Sequence, residues 1–277
     1  MKHKGLLFTT FLAGLYLRDN QIIKVNHIDV DSKKIPVNFE GYKIVQITDL
    51  HNKTFGSGNK RLIAKVKKER PDLIVITGDL LFNYQSPYQE LIHLCSVLAS
   101  IAPVYFVTGN HESSLLDYDF YQLMDGLKRA GVHILRNSKT TIERYGEKIM
   151  LYGLDDPQFY TKDNDQARML IDANLTHLVC KDDPYGILLS HRPEMFDLYV
   201  KHKIPLVLCG HTHGGQIRFP IIGALLAPNQ GLFPAYDRGI YKCQSTFMYI
   251  STGLGASNLH LRTLNPPELA VFTLHHR

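Results

Sequence analysis

From residue 43 onward the chain repeats one pattern: a short apolar run rich in β-branched residues, then polar residues or glycine, then often a stretch with apolar positions at helical spacing. The runs 43–48, 73–77, 104–108, 149–153, 187–190, 206–209, 248–251 and 270–274 read as strands. They are apolar almost throughout instead of alternating, which suits strands covered on both faces. Helices are expected over 59–69, stopped by Pro71, over 88–100, over 119–130, stopped by Gly131, over 165–174 and over 194–202. Strands alternating with helices make this an α/β chain. No repeat, low-complexity tract or linker divides it, so residues 21–277 are expected to form a single domain behind a separate segment, residues 1–20.

That segment places Lys2 and Lys4 before an apolar run over 5–17, which ends at Arg18, Asp19 and Asn20. The arrangement is open to three readings: a retained membrane-associating segment, a cleaved signal peptide, or a core element. The first is the expectation taken forward, with the protein membrane-associated through an N-terminal anchor and the side of the membrane open. A second apolar stretch, 219–233, is broken by Pro220, Gly223, Pro228 and Gly231. It reads as an irregular loop, either packed inward or forming an apolar lip.

The 277 residues are 44% hydrophobic and 21% charged, which excludes disordered and collagen-like classes. The net charge of +5 is mild for this length and argues against a nucleic-acid-coating protein, while leaving anionic substrates welcome. Lysines and arginines between Lys60 and Arg70 lie on a predicted helix, and read as a solvated face or a patch for anionic lipid, so a membrane surface is an expected partner. No protein partner is expected. Cys95, Cys180, Cys209 and Cys243 lie far apart with no C-x-x-C, indicating neither a zinc ribbon nor a disulfide framework. Histidine stands out, with 14 residues, several beside Asp, Asn or Gly.

The metal-capable residues fall in groups, and each group directly follows a predicted strand. Asp49 and His51 follow the first, Asp79 the second, and Asn110 with His111 the third; His191 and the pair His211, His213 follow two later ones. In open α/β sheets ligands bind beyond the carboxyl ends of the strands, so five separated segments converge on one crevice. The mixed oxygen and nitrogen set suits Mn, Fe or Zn better than Ca or Mg. Asp49, His51, Asp79, Asn110, His191, His211 and His213 are too many for one tetrahedral zinc but fit two adjacent divalent transition metal ions sharing a carboxylate.

The blocks Asp49-Leu50-His51, Gly78-Asp79, Gly109-Asn110-His111-Glu112, His191 and Gly210-His211-Thr212-His213 resemble the five signature blocks of the calcineurin-like metallophosphoesterases. The sequences GHTHGGQ at 210–216 and GLDDP at 153–157, with Ser251-Thr252-Gly253, further resemble the bacterial YkuE/YaeI-like phosphodiesterase branch, whose members often begin with a membrane-directing segment. The resemblance implies a four-layer α/β/β/α sandwich of two mixed sheets. It also implies that Asp49, His51 and His213 hold one metal, that Asn110, His191 and His211 hold the other, and that Asp79 bridges them. His111 takes the place of the family's histidine that contacts phosphate and protonates the leaving oxygen.

Two departures stand beside the match. Many members carry an acid three residues after the bridging Asp, where it orients the catalytic histidine; here that residue is Phe82. Asn83, Glu112 and Asp155 are candidates to take its place or to meet substrate, or the backbone alone holds His111. The protein serine/threonine phosphatases place Arg before their Gly-Asn-His-Glu, and this chain has Thr108, which argues against a protein substrate. The expected activity is hydrolysis of a phosphodiester or pyrophosphate bond of lipid, nucleotide or cell-envelope type by metal-activated water. Nuclease, nucleotide phosphodiesterase or phosphomonoesterase activity is the alternative, and a non-catalytic metal-bearing scaffold the remote one.

Overall fold

The computed structural model describes residues 14, 16, 20–83, 85, 87–215, 218–219, 223–224, 226–256 and 262–277. Strands β1 (Lys24–Asp31) and β2 (Lys43–Ile47), helix α1 (Lys60–Glu69), β3 (Leu73–Thr77), α2 (Gln89–Ala99), β4 (Val104–Val107), α3 (Asp117–Arg129) and β5 (Val132–Ile134) come first. There follow β6 (Ser138–Arg144), β7 (Glu147–Gly153), α4 (Asn164–Leu178), β8 (Gly186–Leu189), α5 (Phe196–Lys201) and β9 (Leu206–Cys209). Four two-residue strands, β10 (Arg218–Phe219), β11 (Gly223–Ala224), β12 (Leu226–Ala227) and β13 (Gly231–Leu232), precede β14 (Gly239–Cys243), β15 (Thr246–Ile250) and β16 (Glu268–His275).

Two six-stranded sheets result, in the orders β1-β16-β2-β3-β4-β5 and β14-β15-β9-β8-β7-β6. In the first, β2 to β5 run parallel, while β16 returns from the end of the chain to lie antiparallel to β2 and parallel to β1. The second has a parallel centre, β15-β9-β8-β7, with antiparallel β14 and β6 at its edges. Both sheets are therefore mixed, as expected.

Three apolar cores separate four layers. Because side chains alternate across a strand, β3 sends Leu73 and Val75 to one face and Ile74 and Ile76 to the other. The Ile74 face packs on α1, α2 and α3 through Leu62, Leu94 and Leu127. The Leu73 face meets Ile187, Leu189, Leu206 and Leu208 of the second sheet, closing the central core. Beyond it, Leu188 and Val207 face α4 and α5 through Ile171, Leu175 and Tyr199. The central strands are thus covered on both faces, which is why their sequences read as unbroken apolar runs. Local chemistry sets the helix ends: the Asp163 carboxylate caps α4 by accepting from Gln166 N at 2.9 Å. Gly131, at φ 87°, ends the turn after α3 in a conformation that favours glycine.

The expectation of a membrane-anchored protein is overturned. Among the described residues, no helix is long and apolar enough to cross a membrane. The run over 5–17 lies mostly outside the described residues. The described parts of 219–233 form two short antiparallel pairs, β10 with β11 and β12 with β13, and leave Leu232 and Phe233 exposed.

Candidate metal centre

The turns that leave β2, β3, β4, β8 and β9 meet at one end of the paired sheets. Gln46 ties the sheets together just beneath, its Nε2 donating to Thr77 Oγ1 at 2.8 Å and to the main-chain oxygen of Cys209 at 3.0 Å. The site residues leave their strands in tight turns. Asp49, His51, Asp79, His211 and His213 all have positive φ, between 49° and 75°. For residues other than glycine this conformation is uncommon and costs energy, and it gathers here at the site. The flanking glycines permit close approach. A Cβ on Gly109 would stand 2.2 Å from Asp79 Oδ1, and one on Gly210 would stand 2.4 Å from Asp49 Oδ2.

Two clusters of ligand atoms result. Asp49, His51, Asp79 and His213 form one; Asp79, His191 and His211 form the other; within each, the ligand atoms lie within 4.8 Å of one another. Asp79 belongs to both. Its Oδ2 is 3.2 Å from His191 Nε2 and 3.7 Å from His51 Nε2, and His213 Nε2 is 3.4 Å from Asp49 Oδ1. Asn110 lies in the turn after β4, and its Oδ1 is buried with no hydrogen-bond partner among the described residues. Carboxylate oxygens and imidazole nitrogens gathered this closely in a buried space fit divalent cations.

Backbone carbonyls orient the imidazoles. Because a carbonyl only accepts, His51 Nδ1 must donate to Leu81 O at 3.0 Å and His191 Nδ1 to Thr77 O at 2.7 Å, which leaves each Nε2 to face the crevice. Nothing in the sequence announced these acceptors, since main-chain oxygens carry no residue identity.

Burial lowers three of the four cluster histidines, His51, His211 and His213. Burial pushes His51 down to about 3. It holds His213 well below the usual imidazole range, with His51 beside it acting in the same direction. His211 is likewise held low by burial and by the Arg192 guanidinium. Burial works against a charge on His191, but the Asp79 carboxylate overrides it and raises that imidazole to about 10. Burial and the Asp79 charge raise Asp49 to about 6. Two carboxylates buried so close together call for positive charge between them.

His111 differs from its neighbours. Its side chain is 21% exposed, whereas those of Asp49, His51, Asp79, His191 and His213 are 3% exposed or less. Its backbone N donates to Asp79 Oδ1 at 2.9 Å, and its Nδ1 donates to the main-chain oxygen of Phe82. Glu112 is fully buried and holds the turn instead, accepting from Asp79 N at 2.9 Å, Leu80 N at 2.8 Å and Gly109 N at 2.7 Å. Asn83 Oδ1 accepts from Gln85 N at 3.0 Å.

Asp155 and Asp156 organise the surroundings. Asp155 accepts from Thr108 Oγ1 at 3.0 Å, Arg136 Nε at 2.9 Å and Tyr160 OH at 2.9 Å. Asp156 accepts from Arg192 Nη2 at 2.8 Å. The other ω-nitrogen of Arg192, a residue that carried no signal in the sequence, lies 3.2 Å from His211 Nε2.

A paired-sheet fold with two carboxylate and histidine clusters sharing one aspartate defines a binuclear metallohydrolase centre. The chain belongs to the calcineurin-like phosphoesterase family, which it matches over residues 42–215. It is 33% identical to YkuE, an uncharacterized metallophosphoesterase of Bacillus subtilis, over 265 residues that cover 94% of this chain and 87% of that one. It is 30% identical to the phosphodiesterase YaeI of Escherichia coli over 240 residues, covering 86% and 83%. Its fold is like that of the phosphopantetheinyl hydrolase of Mycobacterium tuberculosis, with a TM-score of 0.50, 13% identity, and coverage of 77% of this chain and 89% of that one. The protein is thus a metal-dependent phosphoester hydrolase, and the family's centre holds two divalent metals.

Proposed function

We propose that the enzyme hydrolyses a phosphodiester or pyrophosphate bond, with Asp49, His51 and His213 holding one metal, Asn110, His191 and His211 the other, and Asp79 bridging both. The observation that carries this reading is the membership of Asp79 in both ligand clusters. The similarity to a phosphodiesterase supports the diester preference.

Two divalent ions held in these clusters would supply a water of lowered pKa and neutralise charge building on the phosphoryl oxygens. The chain's own part is positional. Leu81 O and Thr77 O fix the rings of His51 and His191, and burial keeps bulk water from screening the charges within. The Nδ1–H of His111 is held by Phe82 O, so Nε2 is the atom turned to the substrate, and it passes a proton to the leaving oxygen from the doubly protonated ring.

Metal analysis of wild type, Asp79→Ala and Asp49→Ala, with hydrolysis of bis-p-nitrophenyl phosphate and p-nitrophenyl phosphate, tests the reading. Two metals per chain, the greatest metal loss in Asp79→Ala and faster turnover of the diester are expected. A single metal per metal-replete chain would overturn the binuclear assignment, and faster turnover of the monoester would overturn the diester preference.

A further inference from the structure

Lys53 lies beside the candidate metal centre, two positions beyond His51, and the chemistry above does not use it. Among the described residues no carboxylate pairs with its ammonium; the group stands 5.3 Å from the centroid of the Phe55 ring. A cavity of about 210 Å³ opens at this point, lined by Tyr16, Asn20, Gln21, His51, Lys53 and Ala256. No acid is among these residues, and one cation stands behind them, Arg61, whose Nη2 donates to Gln21 Oε1 at 3.1 Å. An ammonium partly withdrawn from water, with no counter-charge among the described residues and an open cavity before it, is placed to receive an anion.

The cavity is smaller than the roughly 300–1,000 Å³ of pockets that take whole small molecules. It therefore suits one group of a larger ligand. His51 sets where the rest of that ligand lies, because it is at once a wall of this cavity and a member of the ligand cluster around Asp49 and Asp79.

We propose that this cavity is a second anion subsite, in which Lys53 receives the phosphate adjoining the one attacked, so that the substrate class is a pyrophosphate diester. The proposal rests on the reading of the site as a binuclear phosphoesterase. In the reaction, water adds to one phosphorus and the P–O–P bond breaks. Two phosphomonoesters result, the water's protons pass to product and solvent, and Lys53 meets the charge that gathers on the departing phosphate.

The full chain is compared as wild type, Lys53→Gln and Lys53→Arg. Calorimetry measures binding of methylenediphosphonate and methylphosphonate; turnover is followed on a nucleoside diphosphate sugar and on bis-p-nitrophenyl phosphate. Lys53→Gln should lose about tenfold more affinity for the diphosphonate than for the monophosphonate, the scale of one charge-assisted contact. It should likewise lose about tenfold more kcat/KM on the pyrophosphate diester than on the aryl diester, with Lys53→Arg restoring most of both ratios. Equal losses within each pair, or none, would overturn the subsite. If wild type turns over neither substrate, the phosphoesterase reading fails, while the phosphonate pair still decides whether Lys53 receives a second phosphate.

Discussion

The ring of His111 is held by the main chain of Phe82: Nδ1–H donates to the Phe82 carbonyl oxygen, and the Phe82 ring lies 6.0 Å away, tilted by 32°. Here a carbonyl performs the orienting task and leaves Nε2 3.9 Å from Asp79 Oδ2. The identity of the side chain at position 82 should therefore matter little. Phe82→Ala is expected to keep kcat within about threefold, whereas His111→Ala should lose about 10²- to 10⁴-fold, the range for a positioned general acid. Steady-state kinetics on metal-replete protein checks this; a Phe82→Ala enzyme as slow as His111→Ala, with its fold intact, would show that the ring and not the carbonyl sets the geometry.

If His111 delivers a proton to the leaving oxygen, its loss must weigh most where that oxygen is a poor leaving group. A nitrophenolate departs with little help, so His111→Ala should be impaired far less on bis-p-nitrophenyl phosphate than on a dialkyl phosphodiester. Metal content should be unchanged. Equal impairment on both substrates would move His111 from proton donor to a residue that binds phosphate in the ground state.

Glu112 is a structural carboxylate beside a chemical one. Its oxygens accept four backbone N–H groups, those of Asp79, Leu80, Leu81 and Gly109, from the turns that carry Asp79 and Asn110. Glu112→Gln replaces one acceptor oxygen with an NH₂ donor, setting donor against donor in a fully buried space. At about 1–3 kcal/mol for each buried polar group left unsatisfied, the variant should lose about 2–4 kcal/mol of stability. Denaturant unfolding of metal-free protein isolates this from any effect on metal binding, and an unchanged midpoint would show that the turn does not depend on the carboxylate.

Legibility in the sequence followed position within the sheets. The strands that reading found, β2, β3, β4, β7, β8, β9, β15 and β16, are the inner ones. The four edge strands, β1, β5, β6 and β14, escaped it. An inner strand is buried on both faces: Leu73 to Thr77 has no exposed residue. An edge strand such as β6, SKTTIER, is mostly half-buried or exposed and carries the charges that protect a free edge. The metal-capable residues were legible because each follows an inner strand directly. What oriented them was not, since Leu81, Thr77 and Phe82 act through main-chain oxygens. Asp155 and Asp156 were visible as acids after a strand, but their partners Arg136 and Arg192 lie 19 and 36 residues away, and only the fold brings them near.

A last prediction concerns pH and lies away from the metals. Asp183 Oδ2 accepts from Tyr152 OH at 2.8 Å, Lys139 Nζ at 2.9 Å and Cys180 N at 2.9 Å, joining the edge strand β6 to the turn before β8. Burial alone would raise its pKa, but these donors and the Lys139 charge outweigh it and hold the carboxyl below the ordinary value. The folded protein therefore binds this proton less readily than the unfolded chain, so the group's contribution is fully present above the unfolded carboxyl pKa of about 4 and fades as pH falls through the lower folded value. Asp183→Asn, which keeps the shape but removes the charge, should be less stable than wild type by a constant margin between about pH 5 and 7, and the margin should shrink below about pH 4. Urea unfolding of the metal-free proteins across that range measures it. A margin that grows on acidification would mean that Asp183 is held in its protonated form, and that the three donors do not set its charge.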